Sequence, residues 1–168
     1  MALSIISVTE PYLLIVWHSR TGASKAMAEA AYGGARENAM LVQAEQVQAD
    51  DLLAAGGYLF ICPENLASMS GAMKEMFDRC YYSVLGRIEG RPYATIIAAG
   101  SDGQGAQAQL DRIVKGWRLR RIADPIIENF AAQTPEEILA PKVVEYDRME
   151  RCRELGKAMA EGLAIGIY

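Results

Sequence analysis

The residues best placed to do chemistry lie in one short turn, Ser19-Arg20-Thr21-Gly22-Ala23-Ser24, where three hydroxyls and a glycine follow an apolar run. A helix begins at this turn, so several backbone N–H groups lack an intrahelical acceptor and carry the positive end of the helix dipole. An anion, phosphate above all, is the natural ligand. The ordinary alternative is a helix start capped by Ser or Thr. Two more polar turns follow apolar runs in the same way: Pro63 to Gly71, with Glu64, Asn65, Leu66 and Ser68, and Gly100-Ser101-Asp102-Gly103-Gln104-Gly105. His18, the single histidine, stands beside the first turn. It reads either as a phosphate contact or proton donor, or as a packed, hydrogen-bonded ring, and the second is favoured. Cys62 ends the second apolar run and invites a redox role, yet a buried cysteine is usually a small hydrophobe. Glu64 and Asp102 read as proton relays or as turn and capping residues.

The elements that must hold these turns alternate. Tyr12 to Trp17 is a short apolar run, too short to cross a membrane, and reads as a strand buried on both faces. The helix after it, from Ala23 toward Met40, carries a stripe of small or apolar residues. Met40 to Val47 reads as a short edge strand, and 49–53 as a brief helical turn leading into a second strand, Gly57 to Cys62. Met73, Met76, Phe77, Cys80 and Val84 then fall at helical spacing. Gly86 to Pro92 breaks that helix, and Tyr93 to Ala99 is a third buried strand. The next helix places Ala106, Leu110, Ile113, Val114 and Trp117 on one stripe, with Lys115, Arg118, Arg120 and Arg121 in its last turn. Ile122 to Ile127 is a last strand whose Pro125 suits a sheet edge. Thr134-Pro135-Glu136-Glu137 matches a capping box with proline at the first helical position. A final long helix from Pro141 turns Val144, Met149, Cys152, Leu155, Met159 and Leu163 inward. Trp17 and Trp117 both fall on buried stripes and read as core.

Alternating strands and helices predict an α/β fold: a three-layer sandwich with a five-stranded parallel sheet, order 2-1-3-4-5, and helices on both faces. All three polar turns then sit at the carboxyl ends of the strands, where ligands of such sheets bind. The basic residues 115–121 fall at a helix C-terminus on the far edge, where they serve the macrodipole and solubility. With 168 residues, one domain is expected, spanning 1–168 with its core over 12–164.

Composition narrows the function. The net charge is −4, with five basic and nine acidic residues over 1–84 and twelve of each afterwards. That is no footprint for nucleic acid, nor for an anionic membrane surface. Three cysteines without short spacing and a lone histidine argue against a disulfide framework and a Cys/His metal site. The opening MALSIISVTE is a lead-in without the basic start of a secretory signal, so the expected location is cytoplasmic, without membrane insertion.

Taken together and in this order, the three turns resemble those of the flavodoxin-like family of FMN-binding proteins, over roughly residues 12–164. SRTGAS resembles that family's phosphate loop. PENLASMSGAMKEMFDR is similar to the second loop and helix of the NAD(P)H-dependent FMN and quinone reductase branch, and GSDGQG to a glycine-rich flavin-contacting segment. The resemblance implies FMN as cofactor. Ser19, Thr21 and Ser24 would give hydroxyl bonds to its phosphate, with backbone N–H groups from Arg20, Thr21, Gly22 and Ala23. Pro63, Glu64, Asn65, Leu66 and Ser68 would border the ring, and Gly100, Ser101, Asp102 and Gly103 would close its other side. It also implies NAD(P)H as co-substrate, a quinone or similar small molecule as electron acceptor, and a homodimer. The chain departs from the electron-carrier flavodoxins of that family, which sandwich the ring between aromatic side chains. Neither 63–71 nor 100–105 contains an aromatic residue. An open ring face favours a reductase. The alternatives are an electron carrier and a non-enzymatic module for another phosphorylated ligand.

Overall fold

A computed structural model describes residues 10–168. The lead-in, apart from Glu10, lies outside the described residues. The first strand is β1 (Leu13–Trp17), in which Leu13, Leu14, Ile15 and Val16 are all fully buried. Successive side chains of a strand point to opposite faces. Leu14 and Val16 accordingly join one core with Phe60, Met76, Phe77 and Trp117, while Leu13 and Ile15 join the other with Leu59, Met27, Cys152 and Met159. In the first core, Phe60, Phe77 and Trp117 form a ladder of rings with centroids 5.0 Å apart at each step.

Helix α1 (Ala23–Ala35) follows, then β2 (Ala39–Gln43), α2 (Ala49–Ala54), β3 (Gly57–Asn65), β4 (Ser68–Met69), α3 (Gly71–Val84) and β5 (Pro92–Ala99). The chain continues through α4 (Gln104–Gly116), β6 (Arg120–Arg121), β7 (Ile126–Asn129), α5 (Pro135–Leu139) and α6 (Tyr146–Ala164). The sheet runs β2-β1-β3-β5, with β6 and β7 pairing the two ends of β5's outer edge. Reading β6 and β7 as one interrupted strand, this is the expected order 2-1-3-4-5, parallel except where β4 turns back on β3. Pro125 lies between the two pieces, on the edge, as its missing N–H requires.

Several boundaries differ from expectation, each for a local reason. Helix α1 stops at Ala35, where Arg36 takes a positive φ of 55°, so the edge strand starts at Ala39 and ends at Gln43. Helix α4 ends at Gly116. Arg118 (φ 60°) turns the chain and Arg120 and Arg121 pair with Pro92 and Tyr93, so the basic residues do not share a helical turn. They do lie at the sheet's far edge. The final helix begins at Tyr146, five residues beyond Pro141, because the side chain of Lys142 is used to cap α5, donating to the carbonyls of Glu137 and Ala140, both at 2.6 Å. The capping box of α5 forms as expected: Thr134 Oγ1 accepts from Glu137 N at 3.2 Å, and the Glu137 carboxylate accepts from Gln133 N and Thr134 N. Those amides hold the Glu137 carboxyl below its usual range.

Candidate functional site

The register sets the shape of the site. Trp17, the last residue of β1, lies opposite Ile61, and β3 runs on for four more residues. At about 3.3 Å per residue the overhang is about 13 Å. The three polar turns leave adjacent strands, with β3 between β1 and β5, so they stand side by side at the carboxyl edge of the sheet.

The first turn is built around Gly22, whose φ of 97° is a conformation L side chains rarely adopt. Ser19 Oγ accepts from Gly22 N at 3.1 Å, which fixes the turn and takes one of the amides expected to face a ligand. The first helical bond runs from Ala26 N to Gly22 O at 3.0 Å. The N–H groups of Ala23, Ser24 and Lys25 therefore have no intrahelical acceptor. Ser24 is 1% exposed and its Oγ has no hydrogen-bond partner. A buried hydroxyl without a partner costs about 1–3 kcal/mol. This orphan, at the first turn of a helix, fits an anion that supplies the missing acceptor. Lys142 N donates to Thr21 O at 2.8 Å and packs the 140–145 segment beside the turn.

The second turn departs from the sequence reading. Residues 63–69 form a β-hairpin, with Glu64 opposite Met69, Asn65 opposite Ser68, and Leu66 and Ala67 as its two-residue loop. Both loop residues have positive φ, 52° and 60°. That is the type I′ geometry usually given to Asn-Gly. For other L residues it costs about 1–2 kcal/mol each. Leu66 is fully exposed at the tip. The Glu64 carboxylate is turned to the start of α4: its Oε1 accepts from Gly103 N at 2.8 Å and its Oε2 from Ala106 N at 3.0 Å. The capping reading of Glu64 therefore holds over the relay reading, and neither this carboxylate nor the Gly103 amide is free for a ligand.

In the third turn, Gly103 has φ 89°, and a Cβ there would lie 2.4 Å from Ile127 Cγ2 and 3.1 Å from Ala99 Cβ. Ser101 and Asp102 are exposed above it. The turn is backed by 129–132, which sequence reasoning missed. Asn129 Nδ2 donates to the Ser101 carbonyl, Asn129 Oδ1 accepts from Ala131 N at 2.8 Å, and Ala132 N donates to Gly100 O at 2.8 Å. An asparagine at the end of a strand, able to bond the backbone two residues on, was the available signal.

Cys62 is fully buried and burial pushes its thiol up to about 12, which leaves it uncharged and packed rather than reactive. His18 is half-buried. Its Nε2 lies 3.7 Å from Glu45 Oε1, and its buried Nδ1 has no partner. Burial lowers its proton affinity, Glu45 opposes this, and Arg20 adds to it. A histidine with a depressed native pKa binds fewer protons folded than unfolded just below pH 6.5, so stability is lost as pH falls from about 6.5 through the native value. The expected result is an imidazole titration, unambiguous because this is the single histidine, with a midpoint below 6.5, and a fall in Tm between pH 7 and 5.5 that His18→Asn flattens. A midpoint above 6.5 would contradict the burial.

Among the described residues no group of three His, Cys, Asp or Glu side chains could hold a metal ion, and no helix is long and apolar enough to cross a membrane. The model of the family described as NADPH-dependent FMN reductase matches residues 36–125, more than half of the chain. The chain belongs to the NADPH-dependent FMN reductase family. The matched span holds the hairpin and the third turn of this family member, and begins after the first turn. The chain is also similar to a flavodoxin of Aquifex aeolicus (strain VF5), 26% identical over 162 residues, covering 91% of this chain and 87% of the relative. Its fold matches that of a flavodoxin from the domain Archaea, with a TM-score of 0.72 at 18% identity, covering 90% of this chain and 98% of the other. It matches a WrbA-like flavodoxin from Agrobacterium tumefaciens equally well, with a TM-score of 0.71 at 16% identity over 91% and 97% of the two chains. The fold is flavodoxin-like, and the protein is a flavoprotein of the FMN reductase type.

Proposed function

We propose that this protein binds FMN at the carboxyl edge of its sheet and works as an NAD(P)H-dependent oxidoreductase that delivers electrons to a quinone or similar small acceptor. The observation that carries the reading is the unpartnered, buried Ser24 hydroxyl at the head of α1, set beside two loops that carry no aromatic side chain. Ser19, Thr21 and Ser24 with the amides of Arg20 to Ala23 would hold the FMN phosphate, apart from the Gly22 amide already given to Ser19. Hydrogen bonds to a charged acceptor contribute about 1.5–3 kcal/mol each, so several offset the desolvation of a dianion. Pro63, Asn65, Leu66 and Ser68 would line one side of the ring, and Gly100, Ser101 and Asp102 the other. Bound FMN supplies the hydride chemistry, and the protein supplies orientation and electrostatics. Without an aromatic lid, the ring face stays open to a nicotinamide and then to an acceptor of similar flat shape.

Anaerobic stopped-flow mixing of the FMN-loaded protein with NADPH, then with a quinone, tests this. Rapid bleaching of the flavin followed by quinone-dependent recovery is the expected course. The similarity to a flavodoxin favours a second reading, an electron carrier. Negligible reduction by either nicotinamide, in protein that binds FMN and is reduced by dithionite, would establish the carrier and overturn the enzyme.

A further inference from the structure

One side chain joins the second and third loops. Glu64 leaves β3 just before the hairpin turn and spends both carboxylate oxygens on the start of α4, on the amides of its N-cap Gly103 and its third residue Ala106. Those are donors that a helix start leaves unpaired, at the end where the dipole favours a negative charge. Two further contacts lie along the same helix. The carbonyl of Ala67 rests so closely on Gly105 that a Cβ there would sit 2.2 Å from the oxygen, and Gln109 Oε1 accepts from Met69 N at 2.8 Å. Helix α4 thus grips the hairpin before, within and after its turn. The turn itself has no asparagine or glycine to favour its left-handed geometry.

We infer that Glu64 is a positioning residue, a clasp that holds the hairpin on α4 so that the second and third loops meet the flavin ring as one pre-set jaw. The inference rests on the FMN reading above. A carboxylate suits the task where glutamine does not, because a neutral amide has one acceptor oxygen and would turn its own N–H groups toward a second donor. A jaw already in place spares ring binding the cost of ordering two loops. Gly105 serves the same end from the other side of the contact.

The test compares wild type, Glu64→Gln and Gly105→Ala, with FMN and riboflavin as probes, since riboflavin carries the ring without the phosphate. Both variants are expected to weaken both ligands about tenfold while leaving the ratio of FMN to riboflavin affinity unchanged. The visible spectrum of bound FMN should change shape, and amide exchange at Gly103, Ala106 and residues 66–69 of the ligand-free protein should accelerate about tenfold. Unchanged flavin affinities and unchanged exchange in both variants would overturn the clasp, as would a loss confined to FMN, which would place Glu64 with the phosphate. Should wild type bind neither flavin, the FMN reading fails and the jaw with it, whatever the exchange rates.

Discussion

Thr21→Glu is expected to purify colourless and to stay so after incubation with FMN, while its binding of riboflavin is no worse than that of wild type. Thr21 lies in the middle of the first turn, between Ser19, whose Oγ holds Gly22 N, and the buried orphan Ser24. The substitution removes a hydroxyl and brings a carboxylate beside the N–H groups of Ala23, Ser24 and Lys25, which have no intrahelical acceptor. Two unit charges about 4 Å apart repel by about 4 kcal/mol at an effective dielectric of about 20. Affinity for FMN should therefore fall about a thousandfold. By accepting from the amides of Ala23 and Ser24 the carboxylate also satisfies donors of the helix start, so Tm should hold or rise even as the flavin is lost. That combination separates a site effect from unfolding. Retained FMN affinity in a folded variant would remove the phosphate from this turn and with it the placement of the ring. Isothermal titration and fluorescence quenching by the two flavins read both outcomes.

The sheet order, and with it the gathering of the three polar turns at one edge, was legible because buried parallel strands announce themselves as uninterrupted apolar runs. LLIVW and YLFIC needed no context, and each ends in a polar turn at the same edge. The capping box at Thr134 was equally legible, since both of its bonds lie within four residues. The hairpin at 63–69 was not. Its turn residues, Leu66 and Ala67, favour nothing of the kind locally, and what stabilises them is about forty residues away in Glu64's partners Gly103 and Ala106, in Gly105 and in Gln109. Glu64 reads from sequence as a relay or a capping residue, and from the family resemblance as a ring-bordering one; its partners are backbone amides that no spacing rule marks. The shortened α1 turns on the positive φ of Arg36, which its residue type does not announce, and the late start of α6 on Lys142, whose side chain caps α5 and whose N–H donates to Thr21 O. Where short-range preference and long-range packing agree, the sequence speaks; at the hairpin they conflict, and packing on α4 decides the turn.

The contact between α1 and α6 is the other place where one atom decides the outcome. Gly34 faces Arg153 and Gly156 faces Ala31, so closely that a Cβ on Gly34 would lie 2.0 Å from Arg153 O and a Cβ on Gly156 2.1 Å from Ala31 O. Both obstacles are backbone carbonyls of a helix, which cannot step aside without moving the whole element. Alanine gains about 1 kcal/mol of helix propensity over glycine, whereas overpacking against unyielding backbone costs about 3 kcal/mol, the upper end of its usual range. Packing wins, and Gly34→Ala and Gly156→Ala should each lose about 2 kcal/mol net, a fall in Tm of about 6 °C for a chain of this size. Gly33→Ala is the internal control. Its Cβ would meet only Arg153 NH1 at 2.9 Å, the far end of a flexible side chain that can swing away. Gly33→Ala should therefore be neutral or slightly stabilising, although it changes the neighbouring residue on the same helix. Because α1 carries the first turn at its other end, a shift of α1 should also weaken FMN more than riboflavin, whereas loss of the hairpin clasp weakens both alike. If Gly33 and Gly34 respond alike in thermal denaturation, the glycines act through propensity alone and the close crossing of α1 and α6 is not what they serve.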